Sequence, residues 1–215
     1  RNDPHTLAVG TGLKWLRLYD IRVSGPAQLS VLAHAKAVKG VAMDPFNEHT
    51  LATFSDAAQD WVRVWDMRKM AKSSQTPVVA VNPFAWNASP LTSLSVGQIA
   101  WSPQRIGVLA VTLARQSQVM VYSLDRHDQA EVTIPADVKH CSGAVQSISW
   151  QHCDAPGYRV SADGERDTYT HRMLVATSRM TVEDISMHES QPLAVNAHSD
   201  IVYGAGRKLY VVPDD

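Results

Sequence analysis

The sequence predicts an all-β protein in which one small sheet is repeated about four times. Three observations predict it. A short apolar run recurs as His5-Thr6-Leu7-Ala8, His49-Thr50-Leu51-Ala52, Val108-Leu109-Ala110-Val111-Thr112 and Met173-Leu174-Val175-Ala176-Thr177. Three of these runs are followed by a segment that alternates apolar and other residues, the two-residue period of a strand with one buried face. No segment keeps a 3.6-residue apolar period across three turns, so helices are not expected to build the core.

The elements follow in chain order. The first run is joined to Trp15-Leu16-Arg17-Leu18-Tyr19-Asp20 through Val9-Gly10-Thr11-Gly12. That G-x-G lacks a third glycine and joins two strands, so it reads as a hairpin rather than a phosphate-binding loop. The second run is preceded by Gly40-Val41-Ala42-Met43-Asp44-Pro45 and followed by Trp61-Val62-Arg63-Val64-Trp65-Asp66. The third is preceded by Gln98-Ile99-Ala100-Trp101-Ser102-Pro103 and followed by Gln118-Val119-Met120-Val121-Tyr122-Ser123. Pro45 and Pro103 stand where a missing N–H ends a strand ladder at little cost. Arg63 to Met70 could be drawn as a helix, but the strand pattern recurs in three places and takes precedence. Lys69 to Thr76 reads as a surface turn. Met67 and Met70, beside Arg68 and Lys69, read as part of a connector rather than an interaction patch. Val145-Gln146-Ser147-Ile148-Ser149-Trp150 precedes the fourth run. Asp154 to Thr170, with Pro156, Gly157 and Gly164, reads as a long solvated insertion between two strands of the fourth unit, either a spacer or a binding loop.

The period of about 44 to 58 residues suits a four-stranded blade with variable loops. The expected units are 1–31 (partial), 32–86, 91–136, 143–196 and 197–215 (partial), all part of one β-propeller. About four units would not close a seven-bladed ring. The first residue is Arg1 rather than Met, which leads us to expect a piece of a longer chain.

Composition narrows the function. The 215 residues are 45% hydrophobic and 19% charged, ordinary globular values that argue against disorder. Lysines and arginines number 20 against 21 acidic residues, a net charge of −1 that gives no bulk electrostatic case for nucleic acid or an anionic membrane. No apolar stretch approaches the roughly 18 residues of a spanning helix. Two cysteines cannot staple a disulfide scaffold, so a reducing compartment is expected. The sequon Asn87-Ala88-Ser89 is followed by Pro90 and reads as unmodified.

On these residues the chain resembles the WD-repeat β-propeller family. Ala33-His34 stands for the Gly-His step, Asp44-Pro45 for Ser-Pro, Leu51-Ala52-Thr53 for Leu-Ala-Ser, and Val62-Arg63-Val64-Trp65-Asp66 for the signature ending. Tyr19-Asp20, Tyr122-Ser123 and Glu183-Asp184 replace Trp-Asp elsewhere. Within that family it is similar to the propeller of the Mio (missing oocyte) proteins. The similarity runs through His34-Ala35-Lys36-Ala37-Val38-Lys39-Gly40-Val41, Trp65-Asp66-Met67-Arg68-Lys69, Ile99-Ala100-Trp101-Ser102-Pro103 with Arg105 and Gly107, Arg172 to Thr177, and Gly206-Arg207-Lys208-Leu209-Tyr210. The resemblance implies an N-terminal propeller followed by a helical solenoid and a zinc module, neither of which is seen in this sequence. It also implies a non-catalytic subunit of the GATOR/SEA complex, acting in amino-acid signalling to the target-of-rapamycin kinase. Seh-type and Sec-type propeller proteins and other GATOR/SEA subunits are the partners it implies, at the cytoplasmic surface of the lysosome or vacuole, with no direct membrane insertion and no cofactor. Other intracellular WD-repeat adaptors, such as a ubiquitin-ligase substrate receptor or a coat or nuclear-pore-type scaffold, are the alternative. A propeller enzyme is a further one.

The resemblance also implies a buried hydrogen-bonded chain in the second unit, with His34, Thr53 and Trp65 as members. For its acid, Asp56 and Asp60 both lie near the expected turn, while Gln59 occupies the aligned position. Blade-signature residues are therefore His34, Asp44, Pro45, Thr53, Trp65, Asp66, Trp101 and Pro103. His140-Cys141 and His152-Cys153 invite a zinc reading, but adjacent His-Cys pairs point to opposite faces of a strand, and a loop and a strand end are expected instead. Asp163, Glu165 and Asp167 read as a solvated acidic loop rather than a calcium site. No G-x-S-x-G, Walker loop or H-E-x-x-H is present, so no catalytic, cofactor or metal residue is assigned.

Overall fold

The computed structural model describes residues 4–70, 76–85, 94–103, 105–124, 130–150 and 171–187, with the short strands at 159–160, 166–167, 201–205 and 208–212. The chain is all-β, with one helical turn among the described residues. The first sheet runs β1 (Thr6–Gly10), β2 (Trp15–Asp20) and β3 (Leu29–Leu32), each antiparallel to the next. The second starts β4 (Val38–Met43), β5 (Thr50–Ser55), β6 (Val62–Asp66). A single helical turn, α1 (Met67–Met70), follows, and then β7 (Val79–Val81) closes the outer side. So the strand reading of Arg63 to Met70 holds only as far as Asp66. Met70 is buried against Trp65 and Leu51, which makes this stretch a packed connector.

The third sheet is β8 (Val96–Trp101), β9 (Val108–Leu113), β10 (Gln118–Ser123), and then an outer strand reached by an indirect route. The chain first crosses to the second sheet, where β11 (Glu131–Val132) lies parallel to β7. The Ala80 and Asn82 amides donate to the Ala130 and Val132 carbonyls at 2.8 and 2.9 Å. It then returns as β12 (Asp137–His140), antiparallel to β10. The sequence pattern does not show this detour. It covers the outer edge of the second sheet, where unpaired N–H and C=O groups would otherwise invite association. β12 lies between the expected third and fourth units, 91–136 and 143–196, and pairs with the third sheet.

The fourth sheet is β13 (Val145–Trp150), β16 (His171–Thr177) and β17 (Val182–Met187), with the hairpin β14 (Arg159–Val160) and β15 (Arg166–Asp167) inserted after β13. The expected insertion 154–170 therefore contains a short ladder; its remaining residues lie outside the described ones. Register also corrects one expectation. Met173, at the place of Leu51 and Leu109, pairs with Ile185 rather than Glu183. Ile185-Ser186 thus occupies the Trp-Asp position and Glu183-Asp184 lies two residues early. β18 (Ile201–Ala205) and β19 (Lys208–Val212) form a last hairpin.

The core lies between sheets. One cluster joins Leu16, Leu18 and Val31 of the first sheet to Leu51 and Trp65 of the second. The next joins Phe54, Val62 and Val64 to Val96, Ile99 and Trp101. The third joins Val108, Val119 and Val121 to Ile148, Met173 and Val175. The second and third sheets bury both faces, each against a neighbour on either side, and the first and fourth are each buried on the face that meets them, the packing of consecutive blades in a propeller.

Two polar devices tie these seams, and the first of them occurs twice. The Trp101 indole N–H donates to the Ala42 carbonyl at 3.0 Å, and the Trp150 indole to the Ala100 carbonyl at 3.1 Å. Each aromatic ring fills the apolar seam while its N–H satisfies the innermost strand of the preceding sheet. Gln98 adds a two-point clamp, donating through Nε2 to the Ile148 carbonyl at 3.1 Å and accepting the Ile148 amide on Oε1 at 2.9 Å.

Candidate functional site

The second sheet holds the largest set of buried polar groups among the described residues. His34 lies just before β4, Thr53 and Ser55 on β5, Asp60 in the β5–β6 turn and Trp65 on β6, and all are 9% exposed or less. A buried polar group left unpaired costs about 1–3 kcal/mol, so the set persists only by satisfying itself. Asp60 accepts His34 Nδ1 at 3.0 Å and the Ser55 hydroxyl at 2.6 Å. A carboxylate can only accept, so the imidazole carries its proton on Nδ1. Nε2 then accepts the Thr53 hydroxyl at 2.8 Å, and Thr53 Oγ1 in turn accepts the Trp65 indole N–H at 2.8 Å. The chain of donors and acceptors closes with no member orphaned.

Burial pushes the Asp60 carboxyl up, but the hydrogen bonds from His34 and Ser55 and the charges of His34 and Arg63 outweigh it, bringing the pKa to about 2. Arg63 spans the rim, donating to the Ala33 carbonyl at 2.7 Å and approaching Asp60 Oδ1 at 3.4 Å. Of the acids near the expected turn, Asp56 is exposed and pairs with Lys39 at 3.4 Å. Gln59 is exposed at φ 56°. That left-handed residue turns the chain so that the next carboxylate, Asp60, swings back under the hairpin. The acid's identity follows from the turn's backbone, which residue types alone do not specify.

The other signature residues take separate positions. Asp44 is buried and accepts the Phe46 amide at 2.9 Å. Burial raises its pKa, opposed by the Phe46 and Asn47 amides. Pro45 is exposed beside it. In the third sheet Ser102 does the same work, its hydroxyl accepting the Arg105 amide at 3.1 Å next to Pro103. Asp66 lies outside the buried chain. It binds Arg68 through the backbone amide and both arms of the guanidinium, and the Arg68 hydrogen bond lowers its pKa. Asp20 and Arg22 repeat that pairing in the first sheet. Gln98 is the structural residue that sequence reading passed over; a lone glutamine within an alternating strand carries no signal.

These groups hold strands together by hydrogen bonds to one another and to the backbone. A shallow depression of about 460 Å³ opens beside Asp60 and Arg63, between Trp61 and Glu131, but its two innermost charges are paired with each other. Among the described residues, no group of three or more His, Cys, Asp and Glu side chains could hold a metal ion. Cys141 is half-buried, and burial and Glu183 raise its thiol pKa. His152 and Cys153, the sequon at 87–89, and Asp163 and Glu165 lie outside the described residues. Among the described residues no helix is long and apolar enough to cross a membrane.

Four successive antiparallel strands, β4 to β7, whose His, Thr, Trp and Asp close one buried hydrogen-bonded chain, stacked on neighbours through apolar seams, define a WD-repeat blade. The family described as "MIOS, WD40 repeat" matches residues 3–190, and the chain belongs to it. It is 27% identical over 254 residues to a protein of Dictyostelium discoideum named "GATOR2 complex protein MIOS", covering 99% of this chain and 20% of that protein. It is also 27% identical over 202 residues to "GATOR2 complex protein MIOS-A" of Xenopus laevis, covering 91% and 19%. The protein of that name from Danio rerio is 27% identical over 208 residues, covering 93% and 20%. The chain thus spans about a fifth of the length of these curated relatives.

Proposed function

We propose that this chain is propeller structure of a GATOR2-type subunit, a non-catalytic scaffold that binds other proteins. The observation that carries this reading is the family match across residues 3–190, joined to a polar cluster whose members are spent on one another. Propellers present loops from a rigid ring of sheets and need no reacting group to bind a partner. Under this reading the units 1–31, 32–86, 91–136, 143–196 and 197–215 are successive blades or parts of blades. The residues His34, Asp44, Pro45, Thr53, Trp65, Asp66, Trp101 and Pro103 are structural. The partners are other subunits of the complex, Seh-type and Sec-type propellers among them. The protein acts in amino-acid signalling to the target-of-rapamycin kinase, at the lysosomal or vacuolar surface through its complex.

Affinity purification of the tagged full-length protein from its own cells, followed by mass spectrometry, tests this. Recovery of Seh-type and Sec-type propellers with the other complex subunits is expected. Recovery of a cullin adaptor or coat subunits in their place would remove the nutrient-signalling role and leave the fold standing. Stoichiometric zinc or calcium bound by the propeller would contradict a scaffold-only reading.

A further inference from the structure

Four turns in four consecutive sheets share one unusual backbone feature. Lys14 (φ 73°) sits in the β1–β2 turn, Gln59 (φ 56°) in β5–β6, Arg115 (φ 64°) in β9–β10 and Met180 (φ 59°) in β16–β17. These are equivalent turns, so they project from one end of the stacked sheets. Backbone bonds tie each to the segment leading into an innermost strand: Val38 N–H to the Thr11 carbonyl, Gln59 N–H to Leu94, Val145 N–H to Gln116, Ser178 N–H to Ala144. Glycine or asparagine adopts this left-handed conformation with less strain, yet every one of the four carries a long side chain instead. All four are exposed, Met180 almost completely at 99%.

Several cations at this end are less engaged than the arginines at the other, although Lys39 here is paired with Asp56 and Lys69 there has no ion pair among the described residues. At the opposite end Arg22 and Arg68 are each clamped by an aspartate two residues away, Asp20 and Asp66. At this end Lys14, Lys36 and Arg115 form no ion pair among the described residues, and Arg179 stands beside Met180 as a further exposed cation. Lys36 belongs here because its connector is bonded to the Lys14 carbonyl through Ala33 and His34. Leu13, 74% exposed beside Lys14, and Met180 add two apolar tips.

We propose that this turn-bearing end, with Lys14, Lys36, Arg115 and Arg179 as its cations and Leu13 and Met180 as its apolar tips, docks an acidic polypeptide segment. The inference rests on the protein-binding reading above and specifies which face and which partner chemistry. Cations spread over separate blades, with apolar tips between them, suit a chain of alternating acidic and apolar residues better than a phosphate backbone.

The test uses the full-length protein purified with its subunits and a fluorescein-labelled peptide of repeated Glu-Glu-Leu triplets, with Gln-Gln-Leu as the neutral control. Anisotropy should show binding of the acidic peptide that weakens about tenfold between 50 and 300 mM salt. The pair Lys14→Glu and Arg115→Glu should weaken it at least about fivefold, while Arg22→Glu with Lys69→Glu at the other end leaves it unchanged. Lys14→Gly with Arg115→Gly should weaken the peptide too while raising the melting temperature, a split that a purely structural role of these side chains would not produce. Equal binding of both peptides, or equal loss from either end, overturns the proposal. Tighter binding of phosphatidylserine vesicles or single-stranded oligonucleotide through the same residues also overturns it. Subunits co-purifying as expected while the peptide fails would sink this inference alone, and loss of the subunits themselves would sink the reading beneath it.

Discussion

The second and third sheets have the same inner strand order and the same registers, yet are held by different forces. In the second, Thr53, Ser55 and Trp65 join His34 and Asp60 in a buried hydrogen-bonded chain. At the matching places the third has Val111, Leu113 and Tyr122, all 1% exposed or less. Among the described residues the Tyr122 hydroxyl has only Met120 Sδ at 3.6 Å, a weak acceptor, and burial pushes its pKa up. One blade is thus specified by polar complementarity and the next by apolar packing. The third sheet is tied to the second through Trp101 and to the fourth through Gln98 and Trp150. The same strand order and register are thus built with the WD signature in one blade and without it in the next.

The contrast can be broken most forcefully at Asp60. Asp60→Ala should destabilise the second sheet by about 3–5 kcal/mol, since it leaves His34 Nδ1 and the Ser55 hydroxyl buried without their acceptor. Hydrogen exchange of β4–β6 amides would register it; a change spread equally over β8–β10 would contradict it. Acid should act next. The folded pKa of Asp60 is about 2, below its ordinary 3.8, so its stabilisation is fully present above about pH 4 and is lost as pH falls towards 2. The second sheet should therefore open before the third on acidification, readable by exchange or limited proteolysis at each pH. Gln98→Ala should cost about 2 kcal/mol at the third–fourth seam by stranding both polar groups of Ile148, with exchange at Ile148 as the reporter. Trp65→Phe and Tyr122→Phe sharpen the comparison at the small end. The first should cost about 1–2 kcal/mol and the second less than about 0.5, because only the first removes a good hydrogen bond.

The same contrast explains what was legible in the sequence. Inner strands such as Leu51 to Ser55 and Val108 to Leu113 bury nearly every residue, so their apolar runs announce them. The outer strands β3, β7 and β12 are short and only partly buried, and their placement is set by partners distant in the chain. β11 has two residues and pairs with a strand about fifty positions earlier, which no local pattern encodes. His34, Thr53 and Trp65 are legible because the blade repeats their spacing. Asp60 is not, because its place depends on the left-handed turn at Gln59. In the fourth sheet the local sequence misleads by two residues: Glu183-Asp184 looks like the Trp-Asp step, but the strand pairing puts Ile185 there.

The most direct measurement is a pair of double-mutant cycles in the full-length protein, read by native-state hydrogen exchange of the two sheets. One combines Thr53→Val with Trp65→Phe; the other combines Met120→Leu with Tyr122→Phe. A coupling of about 1–2 kcal/mol in the first and under about 0.3 in the second is the result expected of a polar lock beside an apolar one. Equal couplings in both would contradict it.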